Sequence, residues 1–219
     1  DQKFKRDLHL FKERLIARVG ELDIDVRLNT RLTPELVKEV NPDALFIAIG
    51  SDPVFPPIPG LSPEVVTTGY DCYMEPEKVG HKVLCIGGGL VGAETAIYLA
   101  DLGHDVTVVE MNEKMAAEAN NHHGTAVRGM LEKLNINCLT STKCVGVKPG
   151  AIEVEDAEGK HSVLTGDTIV LSAGYRARTA EVDTLLGLTE ECAVIGDCKK
   201  VYRVRGAVYD GTFAAINLG

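Results

Sequence analysis

Three glycines spaced as Gly87-x-Gly89-x-x-Gly92 follow the apolar run at residues 83–86, and Glu110 closes the next apolar run at residues 106–109. Each position has its own task in gripping a dinucleotide. Gly87 permits a tight strand-to-helix turn, Gly89 lets the backbone approach a pyrophosphate, and Gly92 lets the following helix pack closely on the sheet. Gly88, Leu90 and Val91 complete the phosphate-facing set, because a helix N-terminus carries unpaired N–H donors and a partial positive charge. Val91, Ala93, Ala96, Ile97 and Ala100 fall at helical spacing and Gly103 supplies the stop, so the turn has the strand and helix it needs on either side.

Glu110 stands where a carboxylate, about 20 residues past the glycines, accepts hydrogen bonds from a ribose hydroxyl and repels a phosphate at that hydroxyl. The residues that follow are Met111, Asn112 and Glu113, with Lys114 the nearest base. NADH is therefore expected in preference to NADPH.

The elements that must hold these residues alternate between strand and helix. Residues 1–19 read as an amphipathic helix with Phe4, Leu8, Phe11, Leu15 and Val19 on one face and Gly20 as its stop. A short strand is expected over residues 25–28, and Thr33, Pro34 and Glu35 open a second helix ending near Val40. Residues 44–48 are continuously apolar, as a parallel strand buried on both faces would be. Residues 52–60 are proline-rich and suit a stiff crossing between lobes. Past the glycine unit, Val127, Met130, Leu131 and Leu134 mark a helix. Three short alternating runs at residues 144–147, 152–155 and 161–164 then predict an antiparallel meander. Residues 168–173 return to the buried parallel type. Residues 192–197 form a strand ending in Gly196 and Asp197, and residues 206–217 form a last helix. The apolar runs that leave at Gly50 and at Gly174 are alike, which suggests two related lobes.

With 219 residues the chain can bury a substantial core. A formal charge of −9 argues against nucleic acid or an anionic membrane as the main partner. No run is long and apolar enough for a bilayer span and no signal peptide is visible, so a cytoplasmic setting is expected. The six cysteines, at positions 72, 85, 138, 144, 192 and 198, contain no Cys-x-x-Cys pair; reduced, mostly buried thiols and no metal site are expected. His122 and His123 are adjacent, point apart on a helix, and read as solvated positions.

Three marks occur in order along the chain: the strand exit at Ala48 and Gly50, the central glycine turn with Glu94 beyond it, and the terminal Gly196 and Asp197. On these residues the chain resembles the flavin- and pyridine-nucleotide-dependent disulfide-oxidoreductase superfamily. Its crossing at residues 52–60 and its closing residues 210–216 look most like the C-terminal half of the old-yellow-enzyme-fused reductases, a group that includes 2,4-dienoyl-CoA reductase, enoate reductase and trimethylamine dehydrogenase. The resemblance implies an α/β fold of two Rossmann-like lobes. An NAD(H)-binding domain at residues 80–173, with Gly174 at its exit and the meander inside it, would be inserted between FAD-lobe segments at residues 1–79 and 174–219.

The resemblance also implies roles. Ala48, Gly50, Gly196 and Asp197 would lie at FAD, with the Asp197 carboxylate on the flavin polyol; a turn-capping acid is the alternative. Ile49 stands where the family more often has Thr. Glu94 would position the nicotinamide, or else serve as an acid favourable to the helix dipole. Hydride would pass from NADH to FAD. With no close cysteine pair here, electrons would continue to FMN and a [4Fe-4S] cluster in an upstream barrel of the same polypeptide that reduces an enoate or enoyl-CoA double bond. An amine dehydrogenase or an NADH oxidase built on the same module is the enzyme alternative. Family members carry an earlier glycine turn on the first FAD-lobe strand, which no residue here supplies. The expectation is that this sequence begins after that motif and, alone, is a nucleotide-binding module without turnover.

Overall fold

The computed structural model describes residues 5–218. The first helix, α1 (Arg6–Gly20), ends at the expected stop, Gly20, and Phe4 and the start expected at Asp1 lie outside the described residues. Its apolar stripe exists without a cover: Leu8, Phe11, Leu15 and Val19 are each between 40% and 48% exposed. The strand expected over residues 25–28 does not form. Val26 and Leu28 are exposed, and no strand among the described residues lies beside them to share backbone hydrogen bonds, so the segment stays irregular. The second helix, α2 (Pro34–Val40), starts as expected, with the Thr33 hydroxyl accepting the Leu36 N–H and proline in the first turn.

β1 (Ala44–Ile47) buries Leu45 and Ile47 but leaves Phe46 37% exposed. The continuous apolar run thus belongs to a strand covered on one face, not on both. From there the chain passes through β2 (Ser51–Pro53) and the proline-rich crossing into β3 (Thr67–Thr68) and the short helix α3 (Gly69–Met74). The crossing docks on the next lobe: Pro59 accepts the Val147 N–H at 2.8 Å, and Ile58 and Leu61 pack into the core beneath the meander.

The central lobe is built by β4 (Lys82–Ile86), α4 (Leu90–Asp101), β5 (Asp105–Val109), α5 (Asn121–Lys133) and β6 (Asn137–Leu139). It continues with the meander β7 (Lys143–Lys148), β8 (Ala151–Glu155) and β9 (His161–Thr165), then β10 (Thr168–Leu171). Five strands form a parallel sheet in the order β3-β10-β4-β5-β6, with the meander a separate antiparallel sheet. Because β3 joins this sheet, the sheet begins at Thr67, ahead of the boundary expected at residue 80. One face of the sheet packs on α4 and α5 through Val83, Cys85, Ala96, Ile97, Val108, Val127 and Leu131. The other face packs on the meander through Leu84, Ile86, Ile152, Val154 and Ile169. The alternation of β4 between these two cores is why it reads as an unbroken apolar run.

The chain returns through β11 (Tyr175–Ala177), α6 (Thr179–Asp183), β12 (Glu191–Val194) and α7 (Val204–Ile216). β12 pairs in parallel with β1, and β11 pairs antiparallel with β2, so the two lobes are joined by a narrow ribbon. Arg178 fixes the ribbon by pairing with Asp52 at 2.7 Å and donating to the Ile49 carbonyl. A small core of Val37, Leu45, Ile47, Val182, Leu185 and Cys198 closes this second lobe.

All six cysteines are free. Burial pushes the Cys72 thiol up to about 11, and pushes Cys85 higher still, whereas Cys192 on β12 is exposed. Alkylation of the native protein with iodoacetamide at neutral pH should modify Cys192 first and spare Cys72, Cys85 and Cys198 until denaturant is added. Peptide mass mapping reads the order directly.

Candidate functional site

The residues from β4 into α4 form the turn that the glycine spacing implies. Gly87 has φ +101°, and a Cβ there would lie 2.5 Å from the Ser172 carbonyl. Gly92 is tighter, since an added Cβ would stand 1.9 Å from the Gly87 carbonyl oxygen. Gly88 is packed under Met115, whose sulfur would be 2.3 Å from an added Cβ. Gly89 differs from all three. Its backbone is extended, with φ −60° and ψ −176°, and the nearest atom to an added Cβ is the Glu118 carboxylate at 3.0 Å. Sterics therefore reserve Gly87 and Gly92 for folding, while space on the outer side of Gly89 is limited only by one movable side chain.

Glu110 lies at the end of β5 and is 5% exposed. Its Oε2 accepts the Gly88 N–H at 2.6 Å, and its Oε1 accepts the Asn112 backbone N–H at 2.8 Å and the Asn112 side-chain amide at 2.6 Å. A buried carboxylate needs such donors to offset its desolvation. Glu110 and the glycine turn, paired by spacing alone, are thus brought into direct contact, and Asn112 is a partner that no spacing rule identifies.

Leu90 opens α4, and its N–H donates to Glu118 Oε1 at 2.5 Å. No side chain of the turn itself caps this helix. Anionic oxygen thus occupies the N-terminus of α4, which is the chemistry of a phosphate-binding helix start. Val91 is exposed beside it.

Glu94 lies beyond the first turn of α4, which contains no acidic residue, so the dipole alternative does not describe it. Its carboxylate is buried between Lys5 Nζ at 2.5 Å and His123 Nε2 at 3.1 Å. His123, expected as a solvated position, faces this carboxylate from α5, while its neighbour His122 is exposed. Adjacent helical residues do diverge, and that divergence is what turns one of them inward.

Ala48 and Gly50 follow β1 while Gly196 and Asp197 follow β12, and the Ile195 N–H donates to the Ile47 carbonyl at 2.9 Å, so the two exits lie side by side at the carboxyl ends of a parallel pair. Gly50 and Gly196 both have positive φ, at +78° and +65°. Asp197 Oδ1 accepts the Tyr202 N–H at 3.2 Å, the contact of a turn-capping acid, with Oδ2 holding no hydrogen bond among those of the described residues. Gly196 donates its N–H to Asp210. Gly174 follows Ala173, whose backbone nitrogen lies 3.4 Å from where a Cβ on Gly87 would sit, and leads into the ribbon between the lobes, where its carbonyl accepts the Val54 N–H at 2.9 Å.

Among the described residues no group of three His, Cys, Asp or Glu side chains is placed to hold a metal ion, and no helix is long and apolar enough to cross a membrane. The profile of the family described as pyridine nucleotide-disulphide oxidoreductase matches residues 12–196. A bilirubin reductase from Mediterraneibacter gnavus (strain CC55_001C) is 35% identical over 202 residues, which cover 92% of this chain and 31% of that protein. A cinnamate reductase from Clostridium sporogenes is 29% identical over 200 residues, covering 90% of this chain and 30% of that one. Among solved structures, a 2-naphthoyl-CoA reductase in complex with 2-naphthoyl-CoA superimposes with a TM-score of 0.87 at 30% identity, over 92% of this chain and 31% of that chain. The chain therefore spans about a third of the length of these relatives.

The glycine geometry separates binding from folding. Gly89→Val should keep stability within about 1 kcal/mol of wild type while weakening NADH at least about tenfold, because its branches fill the phosphate approach. Gly92→Ala should instead lose about 3 kcal/mol or more, because the clash is with backbone. Urea unfolding and cofactor titration of both variants check the pair, and unchanged NADH affinity in folded Gly89→Val would show that the turn serves structure alone.

Proposed function

The chain belongs to the pyridine nucleotide-disulphide oxidoreductase family, and from that premise we propose that it is the NADH-binding, flavin-reducing module of a flavin-dependent oxidoreductase. The observation that carries the reading is the buried Glu110 carboxylate bonded to the Gly88 N–H at the mouth of the glycine turn. An acid held there, with no arginine or lysine among its hydrogen-bond partners, favours an unphosphorylated ribose.

Residues 87–92, with Glu110, would hold NADH, and Glu94 would set the nicotinamide. Ala48, Gly50, Gly196 and Asp197 would meet FAD at the carboxyl ends of β1 and β12, the side of an open parallel sheet where ligands bind. The free Asp197 oxygen suits a polyol hydroxyl, and its other oxygen, spent on Tyr202, keeps the carboxylate in place. When bound, a reduced nicotinamide supplies a hydride and a flavin accepts it. The work left to the chain is to orient two rings and exclude water. The central lobe, expected at residues 80–173 and extended by its sheet back to Thr67, and the flanking segments would divide that work.

The acceptor beyond the flavin is read from the relatives. Cinnamate reductase and 2-naphthoyl-CoA reductase are named for conjugated acids or their thioesters, so the parent activity is proposed as reduction of an enoate or enoyl-CoA double bond. FMN and an iron–sulfur cluster in an upstream barrel would pass the electrons on. The absence of a close cysteine pair in this sequence supports a route other than dithiol exchange. A cytoplasmic setting goes with the proposal.

Titration calorimetry of the 219-residue chain should give NADH about tenfold tighter than NADPH. Equal or reversed affinities would overturn the role given to Glu110. The flavin lobe has one two-stranded parallel sheet and, among the described residues, no Gly-x-Gly-x-x-Gly turn leading into an α-helix at its strand ends; Gly196 opens only a single 3-10 turn after β12. Without that pyrophosphate anchor, the purified chain should be colourless and should not oxidise NADH. Stoichiometric flavin absorbance in the purified chain would refute this view of how the cofactor is held.

A further inference from the structure

Glu118 is on the loop between β5 and α5, eight residues beyond Glu110, and no part of the glycine motif points to it. Its Oε1 takes the Leu90 N–H at 2.5 Å and lies 3.0 Å from where a Cβ on Gly89 would sit. A pyrophosphate that uses the start of α4 needs both that donor and that space. Two anions cannot share them, since one helix start offers about half a positive charge.

The backbone that carries Glu118 is fixed from three directions. Ala116 donates its N–H to the Gly88 carbonyl at 2.8 Å, Arg128 donates to the Met115 carbonyl at 3.2 Å, and Arg203 donates to the Glu118 carbonyl at 2.9 Å. Ala116 itself is held at φ +50°, a conformation that a non-glycine residue adopts only when its surroundings impose it. The side chain of Glu118, by contrast, is exposed to solvent. The loop is therefore anchored while the carboxylate is free to rotate outward about its own bonds.

We propose that Glu118 is an internal anion that closes the dinucleotide site of the unliganded chain and must swing away before the pyrophosphate can bind. The inference rests on the reading of the α4 start as the NADH site. Its physical content is competition. The carboxylate satisfies a helix donor that would otherwise be unpaired, and every incoming phosphate must first displace it. Arg203, from the segment ahead of α7, holds the same residue from the second lobe, so the cap also senses that lobe's position.

The test is a titration of wild type, Glu118→Ala and Glu118→Gln with NADH, ADP and adenosine. Glu118→Ala should bind NADH and ADP about tenfold more tightly than wild type, with Glu118→Gln between them. Adenosine, which has no phosphate, should show no gain. In the absence of ligand, Glu118→Ala should melt below wild type, because the helix start loses its cap. Equal or weaker NADH and ADP binding in both folded variants would overturn the cap while leaving the NADH site standing. If adenosine gained as much as ADP, general loosening of the loop would replace competition for phosphate, and the proposal would fall. No binding of NADH or ADP by any of the three proteins would remove the site reading itself, and the cap with it.

Discussion

The contact between the Gly87 carbonyl and Gly92 sets how close α4 comes to the sheet. With no Cβ on either residue, the first turn of the helix rests on the backbone of the turn that precedes it; any side chain at Gly92 would push it off by more than an ångström. That position decides what the rest of α4 can reach. Ala93, Ala96, Ile97 and Leu99 are buried against the sheet and α5, and none is large enough to replace the lost contact if the helix moved outward. The neighbouring strand end is adjusted to the same approach, because Ser172 follows β10 and its carbonyl lies against Gly87 while its hydroxyl is buried without a partner among the described residues. Three strands therefore converge on one glycine turn: β4 leads into it, β5 delivers Glu110 to it, and β10 backs it.

Placing α4 also places Glu94. From the fifth residue of this helix its carboxylate is carried toward α5 and the start of α1, where His123 and Lys5 meet it. A carboxylate this buried is costly when alone, and two basic groups from separate elements offset the cost. The pair does more than neutralise charge. It links α1, none of whose described residues is buried, to the central lobe at a polar point at the helix start. The stripe of Leu8, Phe11 and Leu15 stays partly exposed.

Much of this arrangement was legible in the sequence. Glycine spacing, the 3.6-residue period of α4 and α5 and the alternation in the meander are local signals, and local signals survive without tertiary information. The Thr33 cap and the Gly50 and Gly196 exits belong to the same class. The misreadings have a common cause. Residues 25–28 have strand composition but no neighbouring strand among the described residues, and residues 44–48 have the composition of a doubly covered strand where only one face is covered. In both, pairing and covering by other segments decide the outcome, and a single segment does not report them. His123, Asn112 and Glu118 were missed for a related reason: each acts across 29 or fewer residues through one side-chain atom, with no spacing rule to mark it. Asp197 shows the limit from the other side, since the observed turn-capping contact uses Oδ1 and the proposed polyol contact would use the other oxygen of the same carboxylate, so one does not exclude the other.

Glu110 and Glu118 approach the same turn and differ in what surrounds them. Glu110 is buried and accepts three hydrogen bonds, two of them from backbone N–H groups that cannot turn away. To move it would strand those donors and bare a carboxylate to an apolar setting, each a cost of a few kcal/mol. Its carboxylate is thus held in place, and in the proposed NADH site an acid that cannot turn away would discriminate between a hydroxyl and a phosphate at one ribose carbon. Glu118 is exposed and its carboxylate accepts a single hydrogen bond among those of the described residues, from Leu90. Water can take over that oxygen when it leaves, so its displacement costs little more than one capping interaction. A charge that can leave cannot select among ligands by repulsion, but it can subtract evenly from the affinity of every ligand that carries a phosphate. On the proposed reading, selectivity and occupancy would fall to different carboxylates, a division that follows from burial and donor count rather than from residue type.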